Sequence, residues 1–232
     1  MLKVENISKD FKVGFRKKTE KILDDISFYI KPKEVVSITG NSGSGKSTIA
    51  RIISGTIKPD QGNIFYRGNL LISPNQSFST EYRKDIQLIP QQPFLSLDPK
   101  QKVGDAIAET ILAHGLSPSK KEAAQQVNAL LEQVWLPCQL ANRYPSQISG
   151  GQAQRIVIAK ALALNPKLLI ADESTSMLDI LAQAQIIQIL LNLMTKYGLS
   201  ILFISHDKPL VQAFSNRIYH LSEGKLILQN KE

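Results

Sequence analysis

The chain has one cysteine, Cys138, and nowhere along its 232 residues does it carry a run of about 18 apolar residues. The first lack excludes an internal disulfide and a cysteine metal site, and with no Cys-His arrangement around it the thiol is read as inert. The second predicts that no segment spans a membrane. The opening, Met1-Leu2-Lys3-Val4-Glu5-Asn6, has no apolar signal core and meets an acidic residue at once, so a cytosolic, non-secreted protein is expected. Aromatics are scarce, at 6%, and none is interleaved with basic residues as in an RNA-binding module, so no nucleic-acid partner is expected. No His, Cys or carboxylate cluster has metal-ligand spacing, so no dedicated metal site of that kind is expected.

What is present describes an ordinary globular protein, with 43% hydrophobic and 21% charged residues. The length suits one large domain with room for an inserted subdomain. Net charge is +8, from 28 Lys and Arg against 20 Asp and Glu. Only Lys12, Arg16, Lys17, Lys18 and Lys21 form a dense basic stretch; it reads first as solvated surface and second as a face beside a membrane.

Residues 2–7 and 26–30 alternate apolar and polar as strands do, with the basic stretch as a loop between them. Residues 35–38 form an apolar strand, and the helical stretch that begins at Thr48 stops at Gly55, with Pro59 beyond. Residues 62–68 and 85–89 read as further strands, with 69–82 irregular. From Val103 the pattern turns helical. Val103, Ile107, Ile111 and Leu112 share one face, Ser117-Pro118 is expected to open a second helix, and Ser149 a third. Strand 167–171, helix 180–197 with Gly198 as its cap, and strand 200–204 then restore α/β alternation, which predicts a mostly parallel sheet. The helix-only stretch from about 100 to 160 reads as an insertion into that α/β body.

Gly40, Asn41, Ser42, Gly43, Ser44, Gly45, Lys46 and Ser47, followed by Thr48, fit G-x-x-x-x-G-K-[ST] in full between a strand and a helix. Glycines let such a loop curl its N–H groups onto an anion, and the helix N-terminus adds partial positive charge. ATP and Mg²⁺ are the expected ligands, with Lys46 at the β/γ-phosphates and Ser47 on the metal. A magnesium site also needs an acid at a strand end. The apolar run 168–171 supplies Asp172 for the metal and Glu173 as a general base. A second anion cradle, Ser149-Gly150-Gly151-Gln152, opens the third helix.

With Ile148 in front of it, this second cradle resembles the signature motif of ATP-binding cassette (ABC) ATPases, and the family's other motifs follow in order over the whole chain. Gln91 resembles the Q-loop residue that meets Mg²⁺ and the γ-phosphate. Ser176-Met177-Leu178-Asp179 resembles the D-loop, His206 the switch histidine, and Phe11 the aromatic that stacks on adenine. His114 and His220 match no motif and are read as structural or solvated. The family usually has Leu where Ile148 stands and a larger apolar residue than Ala171; neither change removes a donor or a charge.

The resemblance implies a P-loop, RecA-like α/β core, an N-terminal antiparallel β-subdomain and an inserted helical signature subdomain. The divisions expected are 1–92 with 161–232 for the core and 93–160 for the helices. It also implies that two cassettes pack head to tail with each ATP between one phosphate loop and the other signature motif. The partners implied are a second ABC ATPase subunit, two permeases reached through residues 91–99, and indirectly an extracytoplasmic solute-binding protein. The place implied is the cytoplasmic face of the membrane. Residues 92–99 and 176–184 resemble the nickel/peptide importer branch, its nickel-type subunit above the rest. Nickel or a related chelated metal is therefore the expected cargo, with oligopeptides as the alternative. A soluble ABC protein of ribosomes or DNA usually has two fused cassettes or a long coiled coil. A phosphate-loop kinase or GTPase has no use for residues 149–152.

Overall fold

Residues 1–13, 18–174 and 179–229 are described by a computed structural model. Among them the strands are β1 (Leu2–Val13), β2 (Lys18–Ile30), β3 (Val35–Thr39), β4 (Gln61–Tyr66), β5 (Asn69–Ile72), β6 (Ile86–Ile89), β7 (Leu168–Asp172), β8 (Ser200–Ile204), β9 (Arg217–Ser222) and β10 (Lys225–Gln229). The helices are α1 (Lys46–Ile53), α2 (Val103–Ala113), α3 (Lys120–Gln133), α4 (Gly150–Leu162), α5 (Ile180–Tyr197) and α6 (Lys208–Phe214). A six-stranded sheet has the order β10-β9-β3-β8-β7-β6, parallel except for the β9–β10 hairpin at its edge. A second, antiparallel sheet has the order β2-β1-β4-β5.

Every residue of β3, β7 and β8 is buried, as expected of central parallel strands covered on both faces. Their side chains divide by parity. Val36, Ile38, Leu168, Ile170, Leu202 and Ile204 pack with α1 and the antiparallel sheet. Val35, Leu169, Ala171, Ile201 and Phe203 pack with α2, α3, α4 and α5. Two hydrophobic cores thus share one central sheet, and the first residue beyond each parallel strand lands at the same end of it. In open α/β sheets that end is where ligands bind.

Several expectations are met closely. Val103, Ile107 and Ile111 are fully buried on one face of α2. Helix α5 has the expected bounds, and Gly198 closes it in the left-handed conformation. Others are corrected. β1 and β2 reach far into the supposed basic loop, where Phe11 pairs with Glu20 and Lys12 with Thr19; only residues 14–17, outside the described set, remain between them. Cross-strand pairing with four well-buried partners along β1 outweighs the local charge there. Residues 69–82 contain β5, whose apolar Leu71 and Ile72 are buried against β4.

Helix α3 begins two residues later than Ser117-Pro118 suggested. Ser119 is its N-cap, accepting from the Glu122 N–H at 3.2 Å while its own hydroxyl donates to the Glu122 carboxylate. Glu122 stands three residues after Ser119, so both its N–H and its carboxylate reach the Ser119 hydroxyl. Ser117 instead donates to the Ser119 carbonyl. No helix of the described residues is long and apolar enough to cross a membrane.

Candidate functional site

The phosphate loop joins the end of β3 to the start of α1, and two of its glycines combine a positive φ with a neighbour too close for a side chain. Gly40 has φ +152°, and a Cβ there would stand 2.4 Å from the Leu221 carbonyl oxygen. Gly45, the N-cap of α1, has φ +103°, and a Cβ would meet Ile22 at 2.7 Å. The backbone is therefore pressed against β9 and β2 and curls into a cradle. Lys46 is 3% exposed, and its Nζ donates back to the carbonyls of Gly40 (2.9 Å) and Asn41 (2.8 Å). The Ser44 hydroxyl is buried without a hydrogen-bond partner. An orphan donor, a buried cation and a glycine cradle together fit a phosphate anion.

At the end of β7, the Asp172 carboxylate accepts from the Ser47 hydroxyl at 3.0 Å. Burial pushes the Asp172 carboxyl up from its ordinary value, against the pull of the Ser47 hydrogen bond. A buried carboxylate and a hydroxyl side by side are the hard oxygen donors that magnesium takes alongside phosphate oxygens. The donor set fits that ion, and a divalent cation there would pull the Asp172 carboxyl back down.

Glu173 leaves the strand with φ +44°, a left-handed conformation unusual for a residue with a side chain. Its N–H continues the sheet to the Ile204 carbonyl (2.9 Å), and the turn swings its carboxylate across the strand ends. Three side chains from three other strand ends meet it there. Lys46 Nζ, beyond β3, lies 3.4 Å away; Gln91 Nε2, beyond β6, donates at 2.9 Å; and His206 Nδ1, beyond β8, stands at 3.9 Å. Lys46 and His206, 160 positions apart in sequence, are thereby drawn onto one carboxylate. A cavity of about 300 Å³ opens beside it, walled by loop residues 40–42 together with His206, Lys208 and His220.

The second cradle is a separate place on the chain. Ser149 is the exposed N-cap of α4 and forms a full capping box: its hydroxyl accepts from the Gln152 N–H at 3.2 Å, and the Gln152 side chain accepts from the Ser149 N–H at 3.0 Å. A Cβ on Gly150 would meet nothing within 4 Å, so this helix end faces open space. Arg155, one turn on, ties α4 to α5 through the Gln185 side chain and to the Trp135 carbonyl.

Phe11 lies on β1, 37% exposed, with Lys9 Nζ 5.6 Å from its ring centre. Asp179 caps α5 through the Ala182 N–H at 2.8 Å, while residues 176–178 of the expected D-loop lie outside the described residues. His114 is exposed, as a solvated residue should be. His220 has a structural contact, with the Thr39 hydroxyl 3.1 Å from its Nδ1, and β9 also carries it into the wall of the cavity. No motif marks it, and only the Thr39–His220 register of the parallel β3–β9 pair could have placed it there.

A family model described as ABC transporter matches residues 23–176. The glutathione import ATP-binding protein GsiA of Escherichia coli (strain K12) is 44% identical over 205 residues, which is 88% of this chain and 33% of that protein. The chain thus spans about a third of the length of the curated relatives it matches. The ATP-binding cassette MJ0796, solved as a dimer in a post-hydrolysis state with ADP and Pi, superposes with a TM-score of 0.87 at 30% identity, covering 100% of this chain and 99% of that one. The cbiO1 protein of Clostridium perfringens, part of the transporter complex cbiONQ, gives 0.82 at 27% identity over 99% of this chain and 88% of its own. With the cassette fold, both anion cradles and this match in hand, the chain belongs to the ABC transporter family.

Proposed function

We propose that the chain is the ATP-hydrolysing subunit of an ABC importer, and the observation that carries this reading is the convergence of Lys46, Gln91 and His206 on Glu173. ATP lies with its phosphates on loop residues 40–48, and Phe11 stacks on its base. Ser47, Asp172 and Gln91 would hold a magnesium ion, which would supply positive charge to the nucleotide's phosphates. Glu173 accepts a proton from water as the water oxygen bonds to the γ-phosphorus. The bond from that phosphorus to the bridging oxygen breaks, and its electron pair stays on ADP. Gln91 and His206 hold the carboxylate and the attacked phosphate in line, so most of the gain comes from positioning and preset charge.

One chain cannot surround the nucleotide, since the second cradle opens away from any partner on its own surface. A second cassette, of this or another ATPase subunit, supplies residues 149–152 and Asp179 to the first one's phosphate loop. Dimeric MJ0796 with ADP and Pi supports that arrangement. Residues 93–160 then act as the moving helical part, and Phe94 (43% exposed) and Leu95 (82% exposed), just past Gln91, offer an apolar step to a permease pair. The chain would sit on the cytoplasmic face of the membrane, with the solute-binding protein reached only through the permeases.

Ser149→Arg tests the shared site. The arginine would stand where the other cassette's γ-phosphate docks, on a helix end that otherwise favours the anion. ATP binding to the single chain should change less than about twofold, while light scattering on the assembled ATPase pair with ATP should show no closed dimer. A dimer closing normally would assign the second cradle another purpose.

Our reading of the cargo moves from nickel to a peptide-type solute. The glutathione import relatives, 44% identical, favour the oligopeptide alternative, while the nickel reading leaned on residues 176–184, a segment that touches no solute. A deletion strain should lose uptake of labelled glutathione or short peptides and keep nickel accumulation in nickel-poor medium. Lost nickel uptake with normal peptide uptake would restore the first expectation.

A further inference from the structure

The cavity beside Glu173 carries more basic side chains than hydrolysis uses. Three basic side chains line it, His206, Lys208 and His220, against the single carboxylate of Glu173. That carboxylate is already matched by Lys46 at 3.4 Å and by the Gln91 amide at 2.9 Å. Lys208 is exposed and forms no ion pair among the described residues. His220 is anchored on one side of its ring, with the Thr39 hydroxyl 3.1 Å from Nδ1 and that hydroxyl also within reach of the Tyr219 carbonyl at 3.2 Å. Nε2, on the other side of the ring, is left for a ligand. Asn41 and Ser42, both exposed on the loop side, add polar groups to the same wall.

We propose that this cavity is a holding subsite for the inorganic phosphate cut from ATP, with Lys208 and His220 as its ligands, apart from the γ-phosphate position at Lys46. It rests on the hydrolytic reading above and adds a step to it. The leaving hydrogen phosphate moves sideways past Glu173 into a cationic recess instead of back over ADP. His206, on the border, contacts the anion in both places, whereas Lys208 and His220 meet it only after cleavage.

Equilibrium dialysis of the full chain, loaded with ADP and magnesium, against labelled inorganic phosphate tests the proposal. Lys208→Gln removes the charge from an exposed position. His220→Asn keeps a polar group for Thr39 and removes Nε2, so the fold and the loop anchor persist. Each change should weaken phosphate binding about tenfold or more, the cost of a lost charge-assisted hydrogen bond. Binding of a non-hydrolysable ATP analogue and the melting temperature should stay at wild-type values. Phosphate affinity unchanged in both variants would put the anion at the Lys46 position and overturn the subsite. Equal losses of phosphate and analogue binding would overturn it too, by making these residues nucleotide ligands. A wild-type chain that cleaves ATP yet holds no phosphate sinks the subsite alone. One that binds no ATP removes the hydrolytic reading and the subsite together.

Discussion

Glu173→Gln should leave ATP bound and slow its cleavage by about 10²–10⁴-fold, the usual worth of a general base. The amide keeps the shape of the side chain and its contact with Gln91, now 2.9 Å away, but it has no lone pair basic enough to take the proton of water. It also removes the negative charge 3.4 Å from Lys46, so the ground-state complex with an anionic nucleotide should be as tight as before or tighter. The pair to measure is analogue affinity on the single chain and single-turnover phosphate production in the assembled transporter. Turnover at the wild-type rate would take Glu173 out of the reaction and leave the convergence around it as a structural ion cluster.

Lys46→Ala should act one step earlier, on binding. Lys46 is buried, its ammonium ties down the carbonyls of Gly40 and Asn41, and an arriving phosphate would draw it off them. A unit charge about 4 Å from a phosphate oxygen contributes roughly 4 kcal/mol at the effective dielectric of a protein surface. That corresponds to about 10³-fold in affinity. Titration with a fluorescent ATP analogue should therefore show no saturation at concentrations that fill the wild type. The contrast with Glu173→Gln is the informative part. One residue meets charge present throughout, the other acts only on the water, so the first should fail in binding and the second in turnover. An alanine variant that still binds the analogue within a few-fold would mean the loop amides alone hold the phosphates.

The motifs were legible where chemistry fixes residue type and spacing together. Gly40 to Ser47, Asp172 and Glu173, and Ser149 to Gln152 could each be read from local sequence, since each forms from neighbours in the chain. Their meeting could not. That Gln91, Lys46 and His206 surround one carboxylate follows from the strand order β3-β8-β7-β6, which comes from long-range pairing. The same limit explains β1 and β2: a charged segment reads as loop until its cross-strand partners are known. The left-handed turn at Glu173 left no trace in composition, because an acidic residue there looks like any strand end. His220 was passed over for a related reason, its place being set by a register with Thr39 across 181 positions.

The parity of the central strands restricts how this protein can change length over evolutionary time. Loss of one residue within β7 would exchange which core each of its side chains enters, and would draw Asp172 and Glu173 back by about 3.3 Å. Ser47 at 3.0 Å and Gln91 at 2.9 Å could follow neither shift. Residue identity in such a strand can drift among apolar types, but residue number cannot. Descendants of this gene should therefore carry β3, β7 and β8 at fixed length.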